Sequence, residues 1–268
     1  MRSLSLSMQT GSMHAVTTGA LDGSRPVALL LHGGHGSWRH WRANLDSLSA
    51  IADPIAIDLP GYGESDDAPG VSSLSDYAAL VEGALRSIPA AAVLVGFSFG
   101  TLVACELARR WRQVPGFRGA ILVNPPLGPE VTKEVLEILE EGVRETRRGG
   151  LLAGVAVTQR RIMISDPDRV TPELISDAAE QVRRSRFKSR PLSRSLDIRE
   201  LIRQADCPIS LLLGGQDPHQ RSALAERLPQ YRDLVGVDRV CLIPEAAHWL
   251  AYEHPQRVVQ AVSTLLEQ

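Results

Sequence analysis

The sequence predicts an α/β fold, a mostly parallel sheet covered by helices on both faces. Three observations carry this. Short apolar runs alternate along the chain with stretches of helical periodicity, as successive strand–helix crossovers do. Runs such as 91–95 and 209–213 are apolar without alternation, which is how strands buried on both faces read. Several runs then stop abruptly, at His32-Gly33-Gly34, at Pro60-Gly61 and at Asn124-Pro125-Pro126.

Taken in order, the alternation Leu4, Leu6, Met8 and then Met13, Ala15 predicts a strand pair turning at Thr10-Gly11. A buried strand follows over 26–31. Helical spacing of Trp38, Trp41, Leu45 and Leu48 predicts a helix over 38–48. A strand is expected over 51–59 and a helix over 74–88, with Ser73 or Ser75 as its N-cap. The strand 91–95 leads into a helix over 101–110, and 119–123 forms the next strand. The rhythm then lapses: 129–204 shows helical patterns, many arginines and no convincing strand. It resumes with a strand over 209–213, a helix near 221–228, a strand over 239–243 and a helix over 255–267. The organisation expected is a core of 1–124 and 206–268, interrupted by a helical lid over 125–205.

With 268 residues and 29.1 kDa, the chain can build one large core. A net charge of -2 gives no global reason to expect nucleic acid or an anionic membrane as partner. No stretch approaches the roughly 18 apolar residues of a membrane span, and the N-terminus lacks a continuous apolar segment. Three widely spaced cysteines, Cys105, Cys207 and Cys241, read as reduced thiols without metal-ligand spacing. A soluble cytoplasmic protein without a metal site is therefore expected, its oligomeric state left open.

The stretch Gly96-Phe97-Ser98-Phe99-Gly100 turns from strand to helix within five residues and matches the G-x-S-x-G pattern of a nucleophile elbow. So sharp a turn strains its central residue and leaves no room for side chains two positions before and after it. It also raises the Ser98 hydroxyl at a helix N-terminus, where unpaired N–H groups favour negative charge. A serine hydroxyl needs a base, and the base an orienting acid. Asp217, just past the strand at 209–213, and His248, just past the strand at 239–243, stand in the required chain order Ser, Asp, His. Asp217 could alternatively serve as a turn residue and helix cap. His35, in a glycine-rich loop, is the other candidate base; His14, His40, His219 and His254 read as surface or packing residues, and His32 as structural. An oxyanion needs two N–H donors, for which Phe99 and Gly34 are the candidates, with His35 an alternative to Gly34. A phosphate-cradling loop is disfavoured, because no G-K-[ST] and no G-x-G-x-x-G follows.

Together, LLLHGGHGSW, IAIDLPGYGESD, LVGFSFGTLVA, LLLGGQDP and AAHWLAYEHP resemble the α/β-hydrolase superfamily along nearly the whole chain. The resemblance implies an eight-stranded sheet with a lid after the sixth strand, Ser98 as nucleophile, Asp217 as acid and His248 as base. Haloalkane dehalogenases and epoxide hydrolases of this fold carry aspartate at the elbow, where this chain has Ser98. The chemistries left are ester or thioester hydrolysis, C–C bond hydrolysis of ring-cleavage products, perhydrolysis and acyl transfer. Phe97 and Phe99 beside the nucleophile favour esters over the C–C hydrolases, which usually carry Asn and Met there. The function expected is a serine esterase acting without cofactor on a small-molecule ester; a small-molecule binding protein on the same scaffold is the alternative. The basic run in the lid suggests a guanidinium for a substrate carboxylate, with Arg183 or Arg184 as candidates. His35, Trp38, Phe97 and Trp249 are the further expected pocket residues.

Overall fold

The computed structural model describes residues 1–128 and 131–268, so Pro129, where the expected helical segment begins, lies outside the described residues. Strands β1 (Arg2–Ser7) and β2 (Ser12–Thr17) form the expected hairpin. They are followed by β3 (Val27–Leu31), β4 (Asp53–Ile57), β5 (Ala91–Phe97), β6 (Gly119–Val123), β7 (Ile209–Gly214) and β8 (Val240–Ile243). These make one 8-stranded sheet in the order β1-β2-β4-β3-β5-β6-β7-β8. The β1–β2 and β2–β4 pairs are antiparallel, and every pair from β4 to β8 is parallel. All strand carboxyl ends from β3 onward therefore reach the same edge.

In the first half of the chain the helices are α1 (Arg42–Leu48), α2 (Leu74–Ala84) and α3 (Phe99–Trp111). Between β6 and β7 lie α4 (Lys133–Gly149), α5 (Leu151–Thr158), α6 (Pro172–Arg183), α7 (Arg190–Ser195) and α8 (Ile198–Ala205). The rest are α9 (Leu224–Val235), α10 (Leu250–Glu253) and α11 (Pro255–Leu266). The two-residue period of the strands sorts their side chains into two cores. Leu29, Leu31, Leu94, Leu122 and Leu211 pack with α2, α3, α8 and α9; Leu30, Val93, Val95, Ile121 and Leu212 pack with α1, α10 and α11.

Local chemistry explains most element ends. Ser73, not Ser75, caps α2: its hydroxyl accepts from the Asp76 N–H while Asp76 reaches back to the Ser73 N–H, a closed capping box. The region expected as one helix over 38–48 starts as a tight 3-10 turn over Trp38–Trp41 before α1. The helix expected near 221–228 begins only at Leu224, because residues 218–223 are spent in turns tied to the Asp217 carbonyl.

The segment between β6 and β7 is helical, with small clusters of its own around Ile138 and Ile162 and around Val155 and Ala179. Ion pairs tie it to the core, Arg39 to Asp177 at 2.6 Å and Arg186 to Asp67 at 2.6 Å. Its last helix, α8, differs: Ile198, Leu201, Ile202 and Ala205 are buried in the main core against α3. Although it lies within the segment expected as a lid, this helix packs as part of the core. Among the described residues no helix is long and apolar enough to cross a membrane.

Candidate active site

The turn from β5 into α3 puts Ser98 at φ +49° and ψ -118°, a strained conformation for a residue with a side chain. Its surroundings hold it there. The Ser98 N–H donates to the Val123 carbonyl at 3.0 Å, and Thr101 donates to the Ser98 carbonyl through both N–H (2.9 Å) and hydroxyl (2.6 Å). The flanking glycines are sterically required. A Cβ on Gly96 would lie 2.5 Å from the Gly100 carbonyl oxygen, and one on Gly100 would run into the carbonyls of Leu31 and His32.

Ser98, His248 and Asp217 meet at the carboxyl edge of the sheet. The His248 Nε2 lies 3.1 Å from the Ser98 hydroxyl, and its Nδ1 lies 2.7 Å from Asp217 Oδ2. Asp217 is fully buried and also accepts from the His219 N–H (2.9 Å) and the Gln220 amide (3.1 Å). It thus serves as turn residue and histidine partner at once. Burial pushes its carboxyl up, but the charge and hydrogen bond of His248, with lesser help from His219, hold it below the usual carboxylate range.

Asn124, at the end of β6 with φ +44°, joins the loops that carry these residues. Its amide donates to the Ala247 carbonyl (2.9 Å) and the His248 carbonyl (2.8 Å). Its oxygen accepts from the Gly214 N–H (2.7 Å) and the Gln220 amide (2.6 Å). In the sequence Asn124 marks only a strand end, because an Asn before Pro in a left-handed bend gives no periodic signal.

A cavity of about 420 Å³ opens above Ser98 and His248. Gly34 and Phe99 line it, and among the described residues neither N–H has a protein acceptor. Helices α4 and α5 supply a largely apolar wall that includes Val135, Leu139 and Val155, whereas Ser189, Arg190, Ser193 and Arg194 supply a polar one. No Asp or Glu is among its described lining residues.

The expected pocket residues divide. His35 lines the cavity, with φ +57° and Nδ1 3.1 Å from the Ser185 hydroxyl. Trp38, Phe97 and Trp249 do not line it and are packing residues. Trp38 lies under the Arg42 guanidinium at 5.4 Å, Phe97 sits 4.9 Å from the His248 ring, and the Trp249 indole donates to the His40 carbonyl at 2.9 Å. Arg183 and Arg184 are not among the residues lining the cavity either. They end α6 on its exposed side, paired to Glu180 at 3.4 and 2.7 Å, and it is α7 that carries Arg190 and Arg194 to the cavity.

Two histidines read as packing or surface residues also line the cavity. His219 lies 4.6 Å from the His248 ring, and burial followed by the charge of His248 lowers its pKa to about 4. His40 is buried, and that burial lowers its pKa well below the ordinary value. The signal for His219 was its place two residues after Asp217. His32 is structural as expected, its Nε2 accepting from the Leu59 N–H at 2.9 Å.

Residues 28–261 match the alpha/beta hydrolase family. The chain is 27% identical to the biotin biosynthesis bifunctional protein BioHC of Cellvibrio japonicus over 91% of its own length and 48% of that protein, so it spans about half of this relative. It is 26% identical to epoxide hydrolase 3 of Xenopus tropicalis (95% of this chain, 74% of that one). It is 28% identical to the pimeloyl-acyl-carrier-protein methyl ester esterase of Neisseria meningitidis (82% and 84%). The naproxen esterase of Bacillus subtilis superposes with a TM-score of 0.75 over 98% of this chain and 90% of the other, at 21% identity. With its matched residues spanning β3 to α11 and its strained serine turn at the sheet edge, the chain belongs to the alpha/beta hydrolase family.

Proposed function

We propose that the protein is a serine hydrolase of small carboxylic esters or thioesters, with Ser98, His248 and Asp217 as its catalytic triad. The observation that carries this reading is the unbroken hydrogen-bonded chain from the Ser98 hydroxyl through His248 to buried Asp217, in the wall of a cavity. His248 Nε2 takes the Ser98 proton as the oxygen attacks the substrate carbonyl. Asp217 fixes the tautomer with the proton on Nδ1 and stabilises the imidazolium. The N–H groups of Phe99 and Gly34 hold the oxyanion. His248 then protonates the departing alcohol or thiol, and an acyl group remains on Ser98. Water, deprotonated by His248, attacks that acyl carbon and releases the acid, so that ester and water become acid and alcohol.

The helices α4 to α7 act as the lid over this site. The apolar wall from α4 and α5 takes the hydrocarbon part of the substrate, and Arg190 and Arg194 favour one that also bears an anionic group. Serine at the elbow separates this reading from the aspartate chemistry of the epoxide hydrolases. The similarity to a methyl ester esterase along most of both chains supports the ester reading.

The test is hydrolysis of p-nitrophenyl butyrate by wild type and Ser98→Ala, with a fluorophosphonate probe followed by mass spectrometry. Turnover lost in the variant and a single adduct on Ser98 are expected. Equal turnover in both proteins, or an adduct elsewhere, overturns the proposal. A protein that binds esters without turning them over and takes up no probe is a binding protein instead.

A further inference from the structure

The loop that carries His248 has no regular secondary structure at this residue, yet every backbone polar group of the dipeptide Ala247-His248 has a partner. The Ala247 N–H donates to Glu253 Oε2 at 2.7 Å, and its carbonyl accepts from the Asn124 amide at 2.9 Å. The His248 N–H donates to the Ile162 carbonyl at 3.1 Å, and its carbonyl accepts from the same Asn124 amide at 2.8 Å. Three separate parts of the chain supply these partners: the end of β6, the end of α10, and the π-helical turn Gln159–Met163 that follows α5.

Glu253 is 8% exposed, and its other oxygen accepts both the N–H (2.8 Å) and the hydroxyl (2.6 Å) of Ser165. It thereby joins the histidine loop to the stretch just after that π-helical turn. Asn124 is fully buried and uses both amide hydrogens and its oxygen. A buried polar side chain so completely engaged fixes the position of its partners, and leaving those partners unpaired is costly.

We infer that Asn124 and Glu253 are positioning residues for His248, and that they hold it against both the acid loop and the lid segment. This deepens the serine-hydrolase reading and rests on it. Because Ile162 and Ser165 belong to the segment over the cavity, a lid displaced at its π-helical turn shifts the general base as well. The site is then competent only with this part of the lid seated.

Asn124→Asp keeps the acceptor for Gly214 but removes both donors to residues 247 and 248. Glu253→Gln keeps the shape but aims an amide hydrogen at a donor N–H. In both variants kcat for p-nitrophenyl butyrate is expected to fall about 10- to 100-fold with KM nearly unchanged, since His248 acts in the transition state. A downfield Nδ1 proton resonance from the His248–Asp217 hydrogen bond is expected in the wild type and is expected to broaden or shift upfield in the variants. In the wild type alone, hydrogen exchange at the Ala247 and His248 amides is expected to be slow despite their place in a loop, and this holds as a test if a variant does not fold. Folded variants with wild-type kcat and an unchanged resonance overturn the proposal, as does exchange at the two amides as fast as in a free peptide. The exchange and resonance measurements need no substrate, so a protein inactive on every ester would sink the hydrolase reading and leave the brace to be judged separately.

Discussion

His248 Nδ1 lies 2.7 Å from Asp217 Oδ2, and Asp217 is fully buried beneath it. An acceptor so placed admits one tautomer of the ring, with the proton on Nδ1 and the lone pair of Nε2 turned to Ser98. Asp217→Asn replaces that acceptor by a group that can also donate, so the ring can settle in the other tautomer and lose the function as a base proposed for it. If the proposed triad operates, the expected loss in kcat is on the order of 1,000- to 10,000-fold. Steady-state kinetics on p-nitrophenyl butyrate measure it; a loss under tenfold contradicts the assigned role.

The elbow makes a prediction about stability rather than rate. Gly100→Ala drives a Cβ into the backbone carbonyls of Leu31 and His32, and backbone at the centre of a parallel sheet has little freedom to yield. A cost of about 2–4 kcal/mol is expected for such overpacking. For a chain of this size the melting temperature should fall by on the order of 5–10 °C. Calorimetry decides it, and an unchanged melting temperature means that the turn is looser than its geometry.

The sequence carries the signal for the sheet and its strand ends far more plainly than for the pocket wall. The strands of the parallel sheet are largely apolar runs followed closely by Gly or Pro, and Ser98, Asp217 and His248 stand one, three and five residues past the ends of β5, β7 and β8. Their meeting is thus a property of strand order, which the sequence displays. The pocket wall is different. Arg183 and Arg194 occupy the same basic run, and only the end of α6 and the start of α7 decide which guanidinium reaches the cavity. Trp38, Phe97 and Trp249 were expected in the pocket because aromatics near a site serve packing and binding equally well. Asn124 and Glu253 act through backbone groups of residues far along the chain or in another loop, a relation without any sequence period.

His219 gives the molecule a dependence on acid. Its pKa is lowered to about 4 by burial and by the charge of His248, whereas in an unfolded chain it is near 6.5. The unfolded state therefore binds more protons between these values, and stability falls as pH drops through this window. His32 and His40, both lowered by burial, act in the same direction. His219→Gln removes one such proton, so its melting temperature should fall less steeply than that of wild type from pH 6.5 to 5. Parallel slopes for the two proteins contradict a buried, neutral His219.

The charge of the cavity wall yields a prediction about substrate. Arg190 and Arg194 line a cavity whose described residues include no Asp or Glu, and among the described residues neither guanidinium has an acidic partner. Arg183 and Arg184 are instead paired to Glu180 outside it. A guanidinium that meets a carboxylate through two parallel hydrogen bonds is a strong, oriented contact. Monomethyl adipate and dimethyl adipate differ mainly in that one charge. The ratio of kcat/KM for the first to the second is expected to drop about 10- to 100-fold in Arg190→Ala, and part of it should return in Arg190→Lys, which keeps the charge without the fork. Arg183→Ala should move the ratio little. An anion in the alcohol half, as in the butyrate ester of glycolic acid, shows whether the contact lies on the acyl or the leaving-group side. Ratios unchanged in Arg190→Ala, Arg194→Ala and the double variant would mean that the arginines serve the lid surface and not the substrate.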